Sequence, residues 1–147
     1  MPKETFSHSA ISKATRDQAW GALDRPTTWE GIGGVDRVVD PIIDEHGGLR
    51  GFSFETMIGG RPYRGTATPH QRVEGSTMSW VIDSSEVRGV TGVDLHDVEE
   101  GTLVTVTIEV ETAGVLSALF FPVIVTAMRN ALPEAVEEFA AGLGSRP

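Results

Sequence analysis

A chain of 147 residues with a formal charge of -9, from 21 acidic against 12 basic side chains, has the length of one domain that folds without staples. The absence of cysteine excludes disulfides, thiol catalysis and thiolate metal sites. The acidity, with no Lys or Arg between Arg88 and Arg129, argues against partners that carry phosphate, so no nucleic-acid partner is expected.

Met1 to Ala10 has one Lys and no apolar core, so no signal peptide is expected and the expected compartment is the cytoplasm. Weak alternation through Phe6, His8, Ala10 and Ser12 predicts a strand over 4–14. Thr15-Arg16-Asp17-Gln18 is a capping box, a hydroxyl cap with Gln three residues on, and it starts a short helix carrying Ala19, Trp20 and Leu23. Thr27-Thr28-Trp29-Glu30 predicts a second short helix capped in the same way, stopped by Gly31, Gly33 and Gly34.

From Val35 the apolar period becomes two. Strands are predicted over 35–43, broken by Pro41, and over 49–58, with Phe52, Phe54, Thr56 and Ile58 on one face. Gly59-Gly60-Arg61-Pro62 turns into a strand over 63–73, with an irregularity at Pro69. Further strands follow over 77–83, 89–98 and 102–111. In the last, Val104, Val106, Ile108 and Val110 oppose Thr105, Thr107 and Glu109, the pattern of a half-buried strand. The final segment, 115–143, returns to helical spacing, with Met128, Leu132, Ala135, Val136, Phe139 and Leu143 on one face. Pro122 is expected near the first turn of the main helix and Pro133 at a kink or break. The apolar run 115–128 is too short to span a bilayer. No repeat or linker divides the chain, so 1–147 reads as a single α+β domain.

The order of strand, two short helices, about six strands and a long terminal helix resembles the START-like (SRPBCC) superfamily, within it the polyketide cyclase/dehydrase and lipid-transport-like branch. The carriers are Ala19-Trp20, Thr28-Trp29, the turn Glu99-Glu100-Gly101-Thr102 and the terminal helix from Leu132 to Leu143. The resemblance implies the helix-grip (START-like/Bet v 1-like) fold, in which a curved seven-stranded antiparallel sheet wraps the C-terminal helix around a cavity. It implies a hydrophobic or amphipathic small-molecule partner such as a lipid, polyketide or quinone, or an aromatase/cyclase activity, with no cofactor. A third reading is a membrane-peripheral or adaptor protein that makes contact through Leu116 to Phe121. The oligomeric state is left as monomer or homodimer.

The expected cavity lining is Trp29, Phe52, Phe54, Tyr63, Ala67, Trp80, Val93, Leu95, Met128 and Leu132. Gly65, Ala67, Thr91, Ala131 and Ala135 are small inward residues that leave room, and access is expected near 115–121 and the Gly59-Gly60 turn. Tyr63 has two readings, a hydroxyl aimed at a ligand carbonyl or a core tyrosine with its hydroxyl at the sheet edge. His8 is a possible cavity residue, whereas His70 reads as a turn residue and His96 as solvated. Arg64 and Arg88 are expected outward against the acidic surface. Arg37 shares a face with Val35 and Val39, and if turned inward it would signal an acidic ligand. The four His lack the i, i+4 spacing of a helical zinc motif, and no phosphate loop or nucleophile elbow is present, so no metal and no catalytic residue is assigned.

Overall fold

The computed structural model describes residues 3–32, 35–58 and 60–144, with the side chains of 58, 115–118, 120 and 144 outside the described set. Seven strands form one antiparallel sheet: β1 (Lys3–Ser12), β2 (Arg37–Ile43), β3 (Leu49–Ile58), β4 (Arg61–Val73), β5 (Thr77–Ser84), β6 (Val87–Val98) and β7 (Gly101–Thr112). Helices α1 (Arg16–Leu23) and α2 (Thr28–Ile32) follow β1, and α3 (Val115–Gly144) closes the chain. The strand order is β1-β7-β6-β5-β4-β3-β2. Apart from the first, each strand lies beside the next in sequence, and β7 brings the chain back beside β1 in register from Lys3↔Glu111 to Ser12↔Thr102. Burial along β7 alternates without exception from Gly101 to Thr112. This strand is the floor under α3, with Val104 and Val106 inaccessible to solvent.

β1 stops two residues short of the expected end. The Ser12 hydroxyl donates to the Ala140 carbonyl (2.7 Å) and accepts from the Ala14 amide (3.1 Å), which turns the chain toward α1 and ties it to α3. The capping box of α1 is complete: the Gln18 amide donates to the Thr15 hydroxyl and the Thr15 amide to the Gln18 side chain. The second box does not form. The Thr28 hydroxyl donates to the Ala22 carbonyl at 2.7 Å. Glu30 accepts from the Val38 amide at 2.8 Å, so its carboxylate joins α2 to β2 instead of capping its own helix. Of the three glycines expected to stop α2, Gly31 is helical and Gly33 and Gly34 lie outside the described residues.

Pro41 interrupts β2 as anticipated. Asp40 before it has φ 48, and the pairing with β3 shifts register between Val39 and Ile42. The register of β4 against β5 likewise shifts between Pro69 and Gln71. The terminal helix departs from expectation. It is one 30-residue element, with both Pro122 and Pro133 well inside it. An interior proline costs about 3 kcal/mol. The buried stripe Phe121, Val125, Leu132, Val136 and Leu143 outweighs that, at about 1.5–3 kcal/mol per large side chain.

Candidate functional site: a cavity under the terminal helix

α3 packs chiefly on β1 and β7, then on α2, and touches α1 and β3 more lightly. It is therefore fixed along one wing of the sheet and bridges across to the other. The concave face beneath it divides into a filled part and a hollow part.

The filled part is built on Trp80. Its ring meets two neighbours edge to face, Trp29 at 5.8 Å between centroids and 86°, and Phe52 at 5.3 Å and 68°. The Trp29 indole N–H donates to the Leu23 carbonyl at 2.8 Å, which anchors α1 and α2 to this cluster. Ala67, Met78, Val93 and Leu95 are buried around it.

The hollow part is a cavity of about 340 Å³. Phe54 of β3, Ile82 of β5, Val87 and Thr91 of β6, and Ile108 and Val110 of β7 form its floor and walls. Ile124, Ala127, Met128, Ala131 and Leu132 of α3 form its roof. Glu30, Gly31, Ile32, Val35, Asp36, Thr56 and Met57 complete it at the α2 end. Most of this surface is hydrocarbon. The polar groups on it are mostly engaged. Ser84 exchanges hydrogen bonds with the Val87 backbone, and Glu109 pairs with Lys3 at 3.1 Å. Asp36 accepts from the Met57 amide (2.6 Å) and from the Thr56 hydroxyl (3.5 Å). The Thr91 hydroxyl is buried with no hydrogen-bond partner among the described residues.

Of the ten residues expected to line a cavity, Phe54, Met128 and Leu132 border it. Trp29, Phe52, Ala67, Trp80, Val93 and Leu95 are buried in the core and are not among the lining residues, with Trp29 and Phe52 packed on Trp80. Tyr63 pairs with Thr56 across β3 and β4, half-buried, and is not among the lining residues. Residues missed as lining include Ile82, Val87, Ile108, Val110 and Ile124. Their inward faces follow from alternation and helical spacing. Their place at the hollow end depends on where the aromatic cluster sits along the strands, which no local pattern encodes. Thr91 and Ala131, read as small inward residues, do border the cavity. Gly65, read the same way, leaves no room. A Cβ there would strike the Phe54 ring and stand 2.6 Å from the Asp83 carbonyl, so the glycine is the seat on which that ring lies.

The charged candidates point elsewhere. Arg37 is exposed and paired with Glu55 at 3.4 Å, because its position in β2 turns it to the convex side, so it cannot clamp an acidic ligand. Arg64 and Arg88 are outward, against Asp40 (3.7 Å) and Asp83 (3.1 Å). His8, opposite buried Val106, lies beneath the C-terminal half of α3, with Nε2 3.7 Å from Glu137, and does not line the cavity. His70 and His96 are exposed. No cluster of metal-ligating side chains occurs among the described residues. In the 116–121 segment, Leu119 is exposed and Phe121 is buried in the core, while Leu116 and Phe120 lie outside the described side chains. Gly59 of the expected access turn also lies outside. No helix among the described residues is long and apolar enough to cross a membrane.

Comparison with known proteins gives the frame for this geometry. Residues 3–146 match the family model for polyketide cyclase/dehydrase and lipid transport. No curated protein matches the sequence. Among solved structures, a START superfamily protein from Mycobacterium smegmatis superposes with a TM-score of 0.66 at 10% identity, covering 92% of this chain and 96% of that one. The Zhui aromatase/cyclase from Streptomyces sp. R1128 gives 0.66 at 12% identity, covering 92% of each chain. Norcoclaurine synthase from Thalictrum flavum gives 0.57 at 13% identity, covering 93% of this chain and 86% of that one. At such identities the likeness is one of fold. The family match over almost the whole length, with the seven-stranded sheet gripping α3, makes this chain a member of the polyketide cyclase/dehydrase and lipid transport family.

Proposed function

We propose that the protein binds one small hydrophobic molecule, lipid-, polyketide- or quinone-like, between the sheet and α3, and that it works in the cytoplasm. The observation that carries this reading is the cavity of about 340 Å³ with its largely hydrocarbon lining. Its volume lies at the small end of ligand sites, roughly 300–1,000 Å³. A ligand of one or two rings or a medium chain fits it better than a long lipid. Binding energy would come from apolar surface removed from water, about 25 cal/mol per Å² before the costs of association.

The family name also covers cyclase activity, which requires a base free to take a proton from the ligand. Of the carboxylates on the cavity, Glu109 is paired with Lys3, and Glu30 and Asp36 hold the backbone amides of Val38 and Met57. The support for a binder is the hydrocarbon lining itself, on which no catalytic residue is assigned. Met128 sits in the roof and is the residue to enlarge. Met128→Trp should weaken saturable binding of an uncharged solvatochromic dye by about tenfold or more at nearly unchanged melting temperature, since a larger side chain takes the ligand's space. Saturation by the dye with equal affinity in both proteins would place binding elsewhere.

A further inference from the structure

The binding reading leaves the ligand's polar end unspecified, and the cavity's charges bear on it. None of the described lining residues is Lys, Arg or His. The acids at the α2 end, Glu30 in α2 and Asp36 just before β2, form no ion pair among the described residues. Each uses one carboxylate oxygen on a backbone amide, Glu30 Oε2 on Val38 and Asp36 Oδ2 on Met57. The second oxygen of each remains to accept. Of the arginines on β2 and β4, Arg37 is paired outward with Glu55 and Arg64 with Asp40, while Arg61 is exposed. The whole chain adds a net charge of -9 to the same field. A separate observation bears on this space. Thr91 borders the floor and is 1% exposed, and its hydroxyl has no partner among the described residues. Burying a hydroxyl without a hydrogen bond is unfavourable unless something completes it.

Resting on the binding reading, we propose that the cavity selects small apolar molecules with a cationic amine head, seated between Glu30 and Asp36, and rejects carboxylates. Apolar area alone would not separate an amine from an acid on the same hydrocarbon body. Two carboxylates without an ion pair among the described residues, Glu30 half-buried and Asp36 exposed, would.

The test is calorimetric titration of the intact protein with three probes that share one bicyclic body: naphthylmethylamine, naphthalenemethanol and naphthoate. The amine should bind about tenfold more tightly than the alcohol, and the carboxylate more weakly than either. In Glu30→Gln/Asp36→Asn the amine should fall to the level of the alcohol, and the alcohol should stay within about twofold. Gln and Asn keep a carbonyl oxygen for the Val38 and Met57 amides, so the backbone attachments persist. Raising salt from about 20 mM to about 500 mM should weaken the amine and leave the alcohol unchanged in the unaltered protein, a readout that does not depend on the variant folding. Naphthoate binding as tightly as the amine, or an ordering unchanged in the double variant, overturns the charge selectivity and leaves the binding reading standing. If none of the three probes binds, both fail.

Discussion

At the scale of single residues, two positions show how a local demand is met far from the cavity and beside it. Asp44 sits in the turn between β2 and β3. The Gly48 amide, the Arg50 guanidinium (2.6 Å) and the His46 amide all donate to its carboxylate and lower its pKa from 3.8 to about 2. A carboxylate held below its unfolded value stabilises the fold above roughly pH 4, and the contribution is lost as pH falls through about 2. Asp44→Asn should melt at a lower temperature than the native chain at neutral pH, and the gap should close as pH falls from about 4 to about 2, as followed by thermal melts across that range. Gly65 is the second case. With the Phe54 ring lying over it, Gly65→Ala has to push that ring toward the cavity or part β4 from β5. Chemical denaturation should show a loss of about 1–3 kcal/mol. An unchanged midpoint would mean that Phe54 has slack the packing does not show.

At the scale of elements, α1 is fixed to the sheet by a polar joint that alternation cannot announce. The Arg72 guanidinium, at the end of β4, donates to Glu74 (2.7 Å) and Asp24 (3.2 Å) and lies 5.2 Å from the Trp20 ring centroid. Asp24 accepts from the Leu49 amide as well, and the Trp20 indole donates to Glu74. Burial opposes the charge on Arg72, but the Glu74 and Asp24 carboxylates prevail and raise its pKa. The same guanidinium lowers that of Glu74. One planar fork thus joins α1, the β2–β3 connection and the β4–β5 turn. Arg72→Ala should cost about 1–3 kcal/mol, because hydrogen bonds to charged groups are lost and Asp24 is left half-buried without its cation. Arg72→Lys should recover only part of it, and equilibrium unfolding of both variants separates charge from geometry. In the sequence Trp20 and Arg72 look unrelated, 52 positions apart by number. Their meeting depends on α1 folding back over the interior strands of the sheet.

At the scale of the molecule, periodicity carries the fold and loses the cavity. Strict alternation in β7, the Thr15 box and the stripe from Leu132 to Leu143 each name an element from its own residues, because period two, a capping hydroxyl and period 3.6 are local properties. The site is different. Phe54 and Trp80 share the inward face and the same aromatic character, yet one borders the hollow and the other fills the plug. What separates them is Trp29 of α2, which packs on Trp80, while Glu30, Gly31 and Ile32 of the same helix border the hollow. The terminal helix over 115–143 was legible from its spacing, but Pro122 stands farther inside it than expected and Pro133 does not break it, since burial across the whole element outweighs a penalty read one residue at a time. The break in β2 has one more consequence. That strand closes the sheet on one side and exposes Ile42 and Ile43, a surface inviting to the strand of a second molecule. Pro41 brings no amide proton, and Asp40, at φ 48, twists the backbone out of line. A neighbouring copy would find a gap in the row of donors it must zip onto, so this border resists fibrous growth despite its isoleucines.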